Sequence, residues 1–187
     1  RHVLGTFMSL KNSFTLMAQY NQWMNDSVYS AASHLRPAAL DDDVGAFFGS
    51  ILGTLNHILV ADIIWLQRFA QHPDKFSELN IVMAMSLPKK LDETLFEDIG
   101  LLREQRVKVD EAILAFANAL SSEVLTTDLS FLDTAGVPHT KNFGQLILHL
   151  FNHQTHHRGQ ITTLLSQRGL DVGATDLLEL IPESKNI

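Results

Sequence analysis

Apolar positions recur along most of the chain at spacings of three, four and seven, and that rhythm predicts helices. Between His2 and His34, Phe7, Leu10, Phe14, Leu16, Met17, Trp23, Met24, Val28 and Ala31 keep it, and Pro37 closes the element. Asp41, Asp42 and Asp43 then supply an N-cap and favourable charge for a second helix running to Gln71. Its stripe is Phe47, Ile51, Leu55, Ile58, Leu59, Ile63 and Leu66. Gly45, Gly49 and Gly53 each cost about 1 kcal/mol in a helix relative to Ala, which points to close approach of a neighbouring helix. After His72-Pro73, residues 74–90 read as a connection with a turn of helix, ending at Pro88. A third pattern covers Leu91 to Leu120, with Gly100 as a site of bending.

From Ser122 to Asn142 the rhythm changes, and Thr126, Thr127, Leu129, Phe131, Thr134, Gly136 and Pro138 predict a short β-hairpin or ordered loop. The fourth helix spans Phe143 to Arg168 and carries Leu146, Leu148, Leu150, Phe151, Ile161, Leu164 and Leu165. A short helix from Thr175 to Leu180 follows, stopped by Pro182. The expected fold class is all-α, a four-helix bundle with that hairpin or loop before its last helix, and the topology stays open. With 187 residues and no linker or repeat, one domain over 1–187 is the expectation.

Composition narrows the chemistry. Fourteen basic against 21 acidic residues give a net charge of −7 without a basic cluster, which disfavours nucleic-acid binding through phosphates. No stretch is long and apolar enough for a membrane span, and with no visible targeting signal the expected location is the cytoplasm. With Cys 0 there is no disulfide, thiolate nucleophile or Cys-type zinc site, so His, Asp and Glu are the strong ligands available.

Histidine is where the sequence departs from an ordinary helical protein. His149, His153, His156 and His157 are four of the nine histidines, all in the fourth helix. Residues four apart share a helix face at about 5–6 Å between Cβ atoms, so His149, His153 and His157 form a ladder that Gln160 extends. The His153 and His157 pair has the spacing at which two imidazoles reach one divalent ion. His57 is the one histidine inside another predicted helix, which makes it the natural third ligand. Three imidazoles in a bundle leave an open coordination position for water or substrate. Around them, Gln160 is placed to bond a ligand or bound water, and Asp62 and Asn152 to orient an imidazole. His149 is expected in the surroundings and His156 on the flank, while His34, His72 and His139 read as core or cap residues. Arg158 is a partner for a substrate carboxylate or a surface salt bridge. Tyr20, Asn21 and Asn25 either line the cavity or bond between helices, and Phe47, Phe48, Trp65, Phe69 and Phe151 are core.

Two motifs together, Gly53-Thr54-Leu55-Asn56-His57 with Ala61-Asp62 and Trp65, and Asn152-His153-Gln154-Thr155-His156-His157-Arg158-Gly159-Gln160, closely resemble the DinB-like (DinB/YfiT) family of metalloenzymes. The segment Tyr20-Asn21-x-Trp23-x-Asn25 fits as well, so the resemblance covers most of the chain. It implies a four-helix bundle and a divalent metal, often nickel or zinc, held at His57, His153 and His157. It also implies a homodimer and a small-molecule substrate, with relatives that include transferases and an isomerase using a low-molecular-weight thiol cosubstrate. The family name refers to induction by DNA damage, a stress response at the level of expression. The expected activity is a metal-dependent hydrolase or thiol-dependent transferase. The alternative is a non-enzymatic metal or small-ligand binding module. No Glu or Asp adjoins the ligand pair as a general base.

Overall fold

In the computed structural model, which describes residues 9–183, the chain is mostly helical with one small two-stranded sheet. Helix α1 runs Leu10–Ala32, with the Ser9 hydroxyl accepting from the Asn12 amide at its start. Phe7 and the rest of the segment before it lie outside the described residues. Pro37 does not simply end the first helix. It opens a short helix α2, Pro37–Asp41, at the N-terminal position where its missing amide hydrogen is no loss.

The second long helix, α3, starts later than the aspartate run suggested and spans Ile51–Phe69. Ser50, not Asp41 to Asp43, is its cap, accepting from the Gly53 amide at 2.9 Å. The intervening residues fold into a turn in which the Asp43 carboxylate accepts from the Gly45 amide and Gly49 takes φ 75°, left-handed backbone that suits glycine. Gly53 does mark a close approach, but the neighbour is the carbonyl of Phe48 in the preceding turn rather than another helix.

After α3 come a 3₁₀ turn at Ser77–Leu79 and helix α4, Asn80–Met83. Helix α5 covers Ile99–Ala119 and is capped by Asp98, so the segment from Leu91 is a loop. Gly100 sits in the first turn and therefore has no helix interior to bend. Asn56 of α3 pins this loop: its Oδ1 accepts from the amides of Leu95 and Phe96 and its Nδ2 donates to the Phe96 carbonyl. Strands β1, Asp128–Leu132, and β2, Pro138–Asn142, form the antiparallel hairpin with Phe131 opposite His139. Asn142 then caps α6, Phe143–Gln167. A 3₁₀ turn at Leu177–Leu180 is the last element among the described residues, and the Tyr20 hydroxyl holds the segment before it through the Thr175 carbonyl.

Helix α1 packs on α5 and α6, and α3 packs on the same two, so each of these four helices lies between two others around a shared core. Helices α3 and α6 are antiparallel: Phe69 meets Phe143, Trp65 meets His149, and His57 meets His153 and His157. One end of the core is aromatic, with Phe69, Phe116 and Phe143 mutually packed and His72 stacked on Phe143. Phe47 is not part of it; its ring is 85% exposed.

Candidate metal centre

Three imidazoles converge between α3 and α6. His57, His153 and His157 each offer a ring nitrogen, and the three nitrogens lie within 4.8 Å of one another. The side chains of His57 and His157 are buried and His153 is half-buried. Antiparallel packing produces the arrangement, because one turn of α6 separates His153 from His157 while His57 reaches between them from the facing helix.

Two of the rings are oriented by acceptors behind them. His57 Nδ1 lies 2.7 Å from the carbonyl oxygen of Leu91, which can only accept, so Nδ1 carries the hydrogen and Nε2 presents its lone pair inward. That carbonyl belongs to the loop that Asn56 anchors, so the residue preceding His57 indirectly sets its tautomer. His157 Nδ1 lies 2.8 Å from Gln160 Oε1 and is fixed in the same sense. Gln160 therefore acts on an imidazole from behind, where the sequence placed it toward a ligand. His57 Nε2 and His153 Nε2 face each other at 3.0 Å, and His153 Nδ1 is buried without a partner.

Burial lowers the pKa of all three histidines. It takes His153 down to about 3, with the neighbouring His157 and His57 adding to the effect. The rings are thus neutral bases at ordinary pH, the protonation state that a divalent ion requires. Phe48 stacks on His57 with ring centroids 3.6 Å apart and meets His157 edge-on at 5.6 Å, shielding one side of the cluster.

The other candidates separate into distinct groups. His149 is exposed, its ring 6.0 Å from that of His153 and 5.2 Å from Trp65. His156 is exposed on the flank, edge-on to His157. Asn152 is exposed and orients no imidazole, because it sits about 100° around the helix from His153. Asp62 is fully buried, yet it too touches no histidine: five residues after His57 it points about 140° away, into the core. His34 and His139 are satisfied by Ser30 and Asp133, and His72 by Thr127.

In the core Asp62 belongs to a second polar cluster that sequence reasoning missed. Arg106 pairs with Asp62 at 2.7 Å and with Asp110 at 2.8 Å. Asn21 and Asn25 donate to Asp110, Gln154 donates to Asp62, and Arg158 donates to Asn21. Arg158 is therefore neither a surface salt bridge nor free for a substrate; it is 3% exposed. Burial works against the Arg106 charge, but Asp110 and Asp62 more than offset it and hold its pKa above the ordinary value. Burial raises Asp62, and lifts Asp110 to about 6 against the pull of Arg106, so Asp110 is ionised at neutral pH. Arg106 and Asp110 lie four apart on the face that also carries Leu102, Val109 and Ile113, a charge pair within an apolar stripe, and that was the available signal.

The DinB family model matches residues 8–185. Protein DinB of Bacillus subtilis (strain 168) is 25% identical over 159 residues, covering 84% of this chain and 87% of that protein. A DinB-like protein from Bacillus cereus ATCC 10987, known from a crystal structure, superposes with a TM-score of 0.57 at 22% identity, over 84% of this chain and 94% of the other, which shows a shared fold. With the family model spanning nearly the whole chain, this protein belongs to the DinB family.

Proposed function

We propose that His57, His153 and His157 together hold one divalent ion, nickel or zinc, and that the protein is a metal-dependent hydrolase or thiol-dependent transferase acting on a small molecule. The four long helices, read as a four-helix bundle and a single domain, serve as the frame. The observation that carries the reading is the convergence of three neutral imidazoles from two helices within 4.8 Å. The donor set fits the group: all three are nitrogens suited to borderline ions, and two have their outer nitrogens engaged by Leu91 and Gln160. An ion with three protein ligands supplies Lewis acidity at its open positions.

The chain's own residues would do the remaining work. Phe48 shields one flank of the cluster, and the buried position of the rings keeps them deprotonated. Any thiol would have to enter as a cosubstrate, since the chain has Cys 0. One observation favours the alternative of a non-enzymatic metal or small-ligand binding module in a stress response. Among the described residues no carboxylate is hydrogen-bonded to the three rings, and the nearest buried acid in α3, Asp62, is committed to Arg106 and Gln154. A cytoplasmic protein forming a homodimer is compatible with both readings.

The test is elemental analysis of protein purified without a histidine tag. The wild type should carry about one equivalent of nickel or zinc, and His57→Ala and His153→Ala should carry little. Equal metal in wild type and variants would show that the ligands are misassigned.

A further inference from the structure

Beside the histidine cluster lies a recess of about 390 Å³ between α3, the hairpin and α6. Its walls include Trp65, Arg68, Phe131, Lys141 and His149. The exposed ring of His149 joins it to the cluster, lying 5.2 Å from Trp65 on one side and 6.0 Å from His153 on the other.

Arg68 is its unusual member. Among the other described arginines of this acidic chain, Arg103, Arg106 and Arg168 each find a carboxylate, buried Arg158 donates to Asn21, and Arg36 is exposed. Half-buried Arg68 forms no ion pair among the described residues. Its guanidinium instead lies over two rings, 4.6 Å from the centroid of Trp65 and 5.1 Å from that of Phe131. Such stacking fixes the plane of the group and leaves its N–H edge for a ligand. The one carboxylate in the wall, Asp133, is already engaged: it accepts from the amides of Ala135 and Val137 and from His139 Nε2. Lys141 adds a second cation. With Arg68, Lys141 and Asp133 counted, the recess is net positive on an acidic protein.

We propose that this recess binds the anionic end of a small organic molecule, a carboxylate or a phosphate, whose other end reaches the trihistidine cluster. Two oxygens of a carboxylate or a phosphate match the two parallel donors of a guanidinium, and the aromatic walls accept an apolar body beside it. The proposal deepens the metal-centre reading and rests on it for the direction in which the ligand lies, but the anion site itself is separable.

The experiment titrates benzoate and, separately, phenyl phosphate into the purified protein while following the Trp65 indole N–H resonance. At least one of the two should shift that resonance saturably, and which one does so identifies the anion. Arg68→Gln should weaken binding by about tenfold or more, as expected for loss of a charge-assisted contact. Arg68→Lys should fall between, and Lys141→Gln should lose less than Arg68→Gln. Thermal melts confirm that each variant is folded, and metal content in Arg68→Gln should match wild type. His57→Ala should still bind the probe, so a failed metal assignment and a failed anion site give different results. No saturable shift with either probe, or equal affinity in wild type and in folded Arg68→Gln and Lys141→Gln, overturns the proposal.

Discussion

Two polar clusters bridge α3 and α6, and they are built on opposite principles. The inner one contains Asp62, Arg106, Asp110 and Arg158, two acidic and two basic side chains whose formal charges offset one another within the cluster. The outer one contains three imidazoles that burial keeps neutral and whose ring nitrogens converge within 4.8 Å. The first needs nothing from outside to balance its charge. The second has no counter-charge of its own and could hold a cation. Adjacent positions feed the two: His153 and Gln154 point about 100° apart and so serve different clusters. Polarity inside a helical protein is therefore a weak indicator of function, whereas an unbalanced set of donors is a strong one.

The largest expected effect separates the clusters by breaking the inner one. Arg106→Met leaves Asp62 and Asp110 buried without their cation, and removing one partner of a buried ion pair costs about 3–5 kcal/mol. At roughly 2–4 °C per kcal/mol for a domain of this size, the melting temperature should fall by about 10 °C. Metal bound per folded chain should stay at the wild-type level. Calorimetry with elemental analysis on the same sample checks both. A variant that melts normally but loses its metal would mean that the roles of the clusters are reversed.

This division also explains what was legible in the sequence. The three histidines were readable because helical spacing alone puts His153 over His157, and His57 stood alone in its helix. The long helices and the hairpin were readable from the change in apolar period near Ser122. Their starts were less so. Asp41 to Asp43 look like a cap, but a cap works only where the next backbone turns helical, and the left-handed Gly45 and Gly49 postpone that to Ser50. Leu91 to Asp98 carries helical spacing yet stays a loop, because Asn56 bonds its backbone across the fold. Asp62 and Arg158 were misread for one reason. A charged residue on a helix is ordinarily solvated or functional, and its burial depends on partners as distant as Arg106, which no local pattern reveals. The Leu91 carbonyl behind His57 was invisible to any search over side chains.

A smaller effect sharpens the outer cluster. Gln160→Leu removes the acceptor behind His157 Nδ1, now 2.8 Å away, while leaving all three ligands in place. Losing such an outer partner typically costs about 10–100-fold in metal affinity. Competition with a chelating dye should show that loss with little change in melting temperature. Asn152→Ala, on the exposed face, is the control and should bind as wild type does. Equal affinities for Gln160→Leu and wild type would mean that the Gln160 contact orients nothing.

The smallest effect is in the pH dependence of the metal-free protein, and its sign follows from the depressed histidines. Burial holds His153 at about 3 against an ordinary 6.5, and the unfolded chain has no such burial. Below pH 6.5 the unfolded state therefore takes up a proton that the folded state refuses. The stability associated with the neutral ring is full above pH 6.5 and is lost as pH falls toward the folded value. One proton is worth about 1.4 kcal/mol per pH unit at most, and exposure of part of the ring reduces it. Urea denaturation at pH 7.5 and 5.5, in chelator, should show wild type losing more stability than His153→Gln over that interval, since the variant has no ring to titrate. The inner cluster is unchanged in that pair, so the rise of Asp110 to about 6 contributes equally to both and cancels in the difference. Parallel curves for the two proteins would mean that His153 titrates as an ordinary exposed histidine, and the contrast between a self-balanced core and a deprotonated, ion-ready cluster would lose its electrostatic basis.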